Sequence, residues 1–184
     1  MPVRQALKAK RKIALSPENE SKISVNLANF VLKSHLKSWG LVWPLAHEID
    51  LRPLCHFLYQ KQFKIFLPET FKAEKKILFR KWTPEILMKK GDFGTFYPDE
   101  TVDSSLSLEG VVVPLLGYDS KGYRIGYGGG FYDRFLAKYP KIFRLGYALS
   151  VQYKETLEIK KHDQRLDVLC TEKGIVTFPF RDPL

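Results

Sequence analysis

Cysteine is scarce in this 184-residue sequence: Cys55 and Cys170 stand far apart, with no CxxC pair and no histidine pair at ligand spacing. A disulfide scaffold and the usual zinc patterns are thereby excluded, and both thiols read as buried and inert. No apolar run approaches the roughly 20 residues needed to cross a bilayer. The basic start, with Arg4, Lys8, Lys10, Arg11 and Lys12, has no apolar segment behind it of the kind a secretory signal carries. A cytoplasmic protein with no membrane partner is expected. Internal repeats and low-complexity tracts are also missing, which argues against solenoids and disorder.

What remains is an ordinary globular balance, 45% hydrophobic and 27% charged. A single domain over residues 1–184 is expected, burying roughly 70% of the surface its unfolded chain exposes. The net charge of +10 is the exception. It raises nucleic acid, anionic membranes and acidic small molecules as partners. The cations are dispersed in pairs such as Lys75-Lys76, Lys89-Lys90 and Lys160-Lys161, which suits solvated surface.

Helical and strand-like segments alternate, predicting an α/β fold with a mainly parallel open sheet flanked by helices. Residues 4–15 suit a helix. Ser16-Pro17-Glu18 reads as cap, first-turn proline and first-turn acid of a second helix, with Ile23, Leu27, Phe30 and Val31 on one face as far as about Ser34. Residues 40–43 predict a buried strand stopped by Pro44. Asp50 is placed to cap a helix carrying Leu51, Leu54, Cys55 and Leu58. Residues 63–67 predict a strand halted by Pro68, and residues 69–108 a long excursion containing a hairpin. Val111-Val112-Val113 has the unalternating β-branched look of a central parallel strand covered on both faces. A turn at Asp119 to Gly122, a helix from Phe131, strands at 143–148 and 168–170, and an edge strand at 175–178 complete the reading.

The most informative stretch is Arg124-Ile125-Gly126-Tyr127-Gly128-Gly129-Gly130-Phe131-Tyr132-Asp133, which sets four glycines into five positions directly before a helix. Glycine allows positive φ and close approach of a ligand to the backbone, and a helix start offers free N–H groups and partial positive charge. A phosphate cradle follows, with Asp133 in the first helical turn able to hold a magnesium ion and Arg124 suited to phosphate oxygens. The common nucleotide fingerprints do not fit: GxxxxGK[ST] is absent, and the third Rossmann glycine would fall on Phe131. On spacing alone, a glycine-rich hairpin tip or tight strand-to-helix turn stays open.

The same run, together with Val111 to Asp119 and Gly122-Tyr123-Arg124 before it, resembles the 5-formyltetrahydrofolate cyclo-ligase family. The similarity extends to Glu48-Ile49-Asp50, Phe79 and Trp82, residues 91–98, and His162-Asp163 through Leu166-Asp167 to Thr171-Glu172. The resemblance implies a NagB/RpiA/CoA-transferase-like fold. It also implies an ATP- and magnesium-dependent conversion of 5-formyltetrahydrofolate to 5,10-methenyltetrahydrofolate with release of ADP and phosphate. On that basis ATP is bound by Arg4, Lys8, Arg124, Ile125, Gly126, Tyr127, Gly128, Gly129, Gly130, Phe131 and Tyr132. The folate contacts Trp43, Glu48, Tyr127, Gly128, Gly129, Gly130 and Phe131, while Asp133 and Asp163 hold the metal. Arg124 and Tyr132 take the catalytic roles.

Two departures from the family pattern are visible. Phe131 stands where some relatives have tyrosine, and a proline is missing before His162. The expected partners are ATP and a reduced formylated folate, polyglutamated or not, bound by a monomer, with no nucleic acid. Two other classes compete: a phosphosugar-binding or isomerase-type enzyme on a related fold, and a basic RNA-binding module, for which no RNP-like aromatic strand is present.

Overall fold

The computed structural model describes residues 3–178. Helix α1 covers Val3–Ala14, and α2 covers Pro17–Lys33. Ser16 caps α2 as its sequence predicts, its hydroxyl accepting the Asn19 N–H at 3.2 Å, with Pro17 in the first turn. Strand β1 (Ser38–Gly40) is followed by α3 (Arg52–Gln60), β2 (Lys64–Phe71) and β3 (Lys76–Trp82). A small hairpin of β4 (Met88–Lys90) and β5 (Phe96–Pro98) leads to β6 (Gly110–Pro114). The two-residue strands β7 (Gly117–Tyr118) and β8 (Arg124–Ile125) pair with each other and carry the chain into α4 (Phe131–Lys138). Strands β9 (Phe143–Tyr147), β10 (Val168–Thr171) and β11 (Gly174–Thr177) close the order.

Seven strands form the main sheet in the order β11-β10-β9-β6-β1-β2-β3. The pairs from β10 through β2 are parallel, and the two outermost pairs are antiparallel. Strand β6, with its run of three valines, is the middle strand and is buried on both faces. Alternation along the strands divides the core. Trp39, Ile65, Leu67, Val112 and Leu145 pack with Ile23, Leu27 and Val31 of α2 and Leu54, Cys55 and Leu58 of α3. Phe66, Phe79, Val111, Val113 and Leu169 pack on the other face with Phe135 and Leu136 of α4. The chain leaves β1 in one direction to make β2 and returns on its other side to make β6, so the strand order reverses between these two. A crevice outside the carboxyl ends of strands at such a reversal is the habitual ligand position in open α/β sheets.

Four expectations shift. The first strand is Ser38–Gly40, not residues 40–43. Leu41 still donates its N–H to the Phe66 carbonyl at 2.8 Å, after which the chain leaves the sheet toward Pro44. Strand β2 is not halted at Pro68 but continues to Phe71. Backbone groups alternate sides along a strand, so Pro68, two residues beyond Phe66, directs its missing donor toward the side that β1 has vacated, and no ladder bond is lost. Leu51 rather than Asp50 is the N-cap of α3 and gives no side-chain cap. Asp50 instead accepts the Arg52 N–H at 2.9 Å and pairs with its guanidinium, which lowers the carboxyl below its ordinary range. The excursion at 69–108 contains the expected hairpin, β4–β5, but its Ile77-Leu78-Phe79 run belongs to β3 in the main sheet.

Gly110 sits beside Trp39 in the β1–β6 register, and a methyl group added there would lie 2.6 Å from the fully buried indole. Gly110→Ala is therefore expected to lower unfolding free energy by about 1–3 kcal/mol through overpacking. Urea titration with an unchanged m-value is the check; a variant as stable as the parent would refute the packing argument.

Candidate functional site

A cavity of about 300 Å³ opens where β1 and β6 end. Val42 and Trp43, just past β1, form one wall, and Pro114 marks the end of β6. Pro68 and Thr70 enter from the stretch of β2 that runs beyond β1, and the glycine run lies opposite.

The glycine run bends sharply before α4. Gly128 and Gly130 have φ of 105° and 63°, values that strain side chains bearing a Cβ. Gly130 is the N-cap of α4 and offers no side chain to it. The Phe131 ring lies so close over Gly129 that a Cβ there would meet it at 2.3 Å. Two loop carbonyls are held by guanidinium groups: Arg4 Nε donates to Gly126 O at 3.1 Å, and Arg134 Nη2 donates to Gly129 O at 2.6 Å. Arg134 is the first residue of α4 whose N–H finds a backbone acceptor, Gly130 O at 3.1 Å. Among the described residues, the N–H groups of residues 127–133 have none. A row of unpaired donors at a helix start is a place for an anion.

Arg124 lies beneath this loop and is buried. Its Nη2 meets Asp133 Oδ1 at 3.0 Å, and its Nη1 donates to the Gln164 carbonyl at 2.5 Å, leaving Nε buried without a partner. Burial pulls the guanidinium below its ordinary pKa, and the negative charges of Asp133 and then Asp163 oppose that pull. Asp133 Oδ1 also accepts the Gln164 N–H at 3.0 Å. Asp163 does not line the cavity; its Oδ2 accepts the Lys160 N–H at 2.8 Å and its Oδ1 lies 3.9 Å from His162.

Glu48 is buried at the cavity floor. Its Oε2 accepts the Leu45 N–H at 2.9 Å, and its Oε1 accepts the Tyr127 hydroxyl in a short hydrogen bond. Tyr132 lines the same floor with a buried hydroxyl that has no partner. Trp43 borders the cavity with its ring centroid 6.1 Å from that of Trp82.

A profile of the 5-formyltetrahydrofolate cyclo-ligase family matches residues 2–172. The chain belongs to the 5-formyltetrahydrofolate cyclo-ligase family. It is 29% identical over 157 residues to the 5-formyltetrahydrofolate cyclo-ligase of Haemophilus influenzae, covering 82% of this chain and 84% of that one. It is 28% identical over 178 residues to the Escherichia coli K12 protein of the same name, covering 90% and 96%. Among solved structures, the 5,10-methenyltetrahydrofolate synthetase of Aquifex aeolicus superposes with a TM-score of 0.78 at 28% identity, over 99% of this chain and 94% of that one.

Most of the cyclo-ligase positions anticipated from sequence converge on the cavity: Trp43, Glu48, Arg124, Gly126, Tyr127, Gly129, Gly130, Phe131, Tyr132 and Asp133 line it. Ile125 and Gly128 lie in the same turn but not on the lining, and Arg4 and Lys8 reach the turn from α1, Lys8 with its Nζ 5.5 Å from the Tyr127 ring centroid. Several contributors were not singled out by sequence. Arg11 is buried and donates to the Tyr127 hydroxyl at 2.6 Å; its position seven residues after Arg4, on the same helical face, was the available signal. Arg134 grips the loop from α4, and its bond to Gly129 O had no sequence signature. Phe93, held at φ 58° before Gly94 at 73°, sets its ring edge-on to Phe131 at 5.7 Å and closes one side of the cavity. Only the glycines of residues 91–94 hinted at that turn.

The phenols around Glu48 are perturbed. Burial, and after it the charge of Glu48, pushes Tyr127, Tyr132 and Tyr147 above the ordinary tyrosine value. A group whose folded pKa is raised stabilises the fold fully below its unfolded value and loses that contribution as pH climbs through the folded one. Unfolding free energy is thus expected to fall above about pH 10, by about 1.4 kcal/mol per pH unit for each of the enclosed phenols Tyr132 and Tyr147, and by less for the partly exposed Tyr127. Urea titrations between pH 9 and 11 measure the slope, and Tyr132→Phe should flatten it. An unchanged slope in that variant would contradict the burial of this hydroxyl.

Proposed function

We propose that this protein uses ATP to close the ring of 5-formyltetrahydrofolate, giving 5,10-methenyltetrahydrofolate, ADP and phosphate. The observation that carries the reading is a single crevice with two chemically distinct walls. Unpaired N–H groups at the start of α4 suit a triphosphate, while Trp43 and the buried Glu48 carboxylate suit a flat heterocycle bearing N–H donors. Family membership supports the same substrates. The cations of Arg4 and Lys8 beside the loop, and the net charge of +10, favour both the nucleotide and an acidic glutamate tail.

The donor set fits a magnesium ion. Asp133 Oδ2 has no hydrogen bond or ion pair among the described residues, and Asp163 Oδ1 has only the 3.9 Å approach of His162. Magnesium commonly takes one or two carboxylates and leaves its other positions to phosphate and water. No group of three or more His, Cys, Asp or Glu gathers among the described residues, so an ion held by Asp133 and Asp163 would draw its remaining ligands from nucleotide phosphate and water. When bound, the ion would neutralise charge developing on the transferred phosphoryl group.

The formyl oxygen is a poor leaving group. In the proposed course it attacks the γ-phosphorus, the bond to the bridging oxygen breaks, and ADP departs. The side-arm nitrogen then attacks the formyl carbon and loses its proton, and the carbon–oxygen bond breaks to release phosphate. The chain's own residues have to align these partners and surround them with positive charge. The loop N–H groups hold the phosphates, Arg124 places positive charge beneath them and orients Asp133, and Glu48 and Trp43 hold the ring. Tyr132 offers its unpartnered hydroxyl at the floor. No covalent enzyme intermediate is invoked. We read the protein further as a single-domain, cytosolic monomer: the site is assembled from one chain, and both cysteines are free and buried, with thiols pushed up to about 12 by burial.

Growth of methenyl absorbance in the presence of Mg-ATP, with ADP release dependent on formylated folate, is the expected result. ADP release without folate, or no product at all, would overturn the reading. Asp133→Asn is an impure probe because Asp133 also balances the buried Arg124. Gly129→Val is cleaner: its side chain must displace the Phe131 ring and reshape the exposed loop, with an expected loss of about 100-fold in kcat/KM and an unchanged circular dichroism spectrum. Full activity in that variant would remove the loop from the site.

A further inference from the structure

Helix α1 presents Arg4, Lys8 and Arg11 on one face, and the glycine run lies along it. The three cations are not equivalent. Arg4 and Lys8 are exposed, touching the Gly126 carbonyl and the Tyr127 ring. Arg11 is only 8% exposed, and a buried guanidinium is unfavourable unless charge and hydrogen bonds compensate it. Its compensation comes from the site itself. Arg11 Nη1 donates to the Tyr127 oxygen at 2.6 Å and stands 3.9 Å from Glu48 Oε1, the one ion pair Glu48 makes among the described residues.

The Tyr127 hydroxyl is thereby fixed at both ends. Its oxygen accepts from a cation, and its proton is given to the Glu48 carboxylate. A phenol can otherwise point its proton in either of two directions in the ring plane, and can donate or accept. Tyr127 as a residue is 41% exposed, so packing alone does not hold it. A chain from α1 through the middle of the glycine run to the segment after β1 joins three parts of the molecule that are remote in sequence.

We propose that Arg11 is a positioning residue for the folate side of the cavity, acting through the Tyr127 hydroxyl to fix the Glu48 carboxylate. This rests on the reading of Glu48 as a substrate contact. The alternative is that Arg11 only anchors α1. A purely structural role would lower stability without coupling to Tyr127.

The test is a double-mutant cycle with Arg11→Met and Tyr127→Phe, together with Arg11→Lys, read in two ways. In the ligand-free protein labelled with tyrosine ¹³Cζ, the Tyr127 resonance is identified by its loss in Tyr127→Phe. It is expected to move in Arg11→Met and to return part of the way in Arg11→Lys. In steady-state kinetics, each single variant should raise KM for 5-formyltetrahydrofolate about tenfold with little change in kcat, the loss expected of one charge-assisted hydrogen bond. The double variant should be no worse than the weaker single. Losses that multiply in the double variant, or an unmoved resonance in Arg11→Met, would overturn the proposal. Should Arg11→Met fail to fold, Arg11→Lys with Tyr127→Phe completes the cycle on the same criteria. A native protein that makes no methenyl product would defeat the functional reading, while the resonance would still decide whether Arg11 fixes Tyr127.

Discussion

A guanidinium withdrawn from water must be surrounded by acceptors and an opposite charge, and Arg124 meets that demand with groups from separate segments. Its own strand, β8, leads into the glycine run. Asp133 comes from the first turn of α4, and the Gln164 carbonyl comes from the loop ahead of β10. Removing Asp133 would leave charge uncompensated in the interior, a penalty much larger than a surface ion pair is worth. Arg124 thereby ties the first turn of α4 and the 160–165 segment to the strand that leads into the loop, beside the bonds of Arg134 to Gly129 and of Gln164 to Asp133.

The surrounding fold supplies the complementary constraint. Because β6 is packed on both faces and β1 beside it is short, the crevice between their ends has strand ends seated on the core on one side and the glycine turn on the other. Trp43 packs against one apolar layer and Phe131 and Tyr132 against the other, so the site residues are seated directly on the core. Charged contributors cluster where the strands stop, and the purely apolar layers lie further down.

Much of this arrangement was legible in the sequence because it rests on local rules. The Ser16-Pro17 start of α2, the three valines of β6 and the glycine run before α4 each announce themselves through propensity and spacing. The bounds of β1 and β2 were not legible, since they depend on which neighbour each strand has on each side. Pro68 looks like a stop until one knows that the adjoining strand has already ended. The site divides in the same way. Residues inside the glycine run were found from the run itself, while Arg11, Arg134 and Phe93 owe their places to contacts across long stretches of chain that leave no periodic trace. Arg124 was read as a cation suited to phosphate; it lines the cavity, with Nη2 at Asp133, Nη1 donating to the Gln164 carbonyl and Nε buried without a partner.

The unequal lengths of β1 and β2 have a further implication. Strand β2 continues from Phe66 to Phe71 alongside no parallel neighbour, an overhang of about 16 Å at the usual rise of a strand. The depth of the notch is thus written in main-chain length rather than in side-chain size. Changes in length confined to residues 44–47, between the core residues Val42 and Ile49, would resize the mouth of that notch while the apolar layers below stay constant.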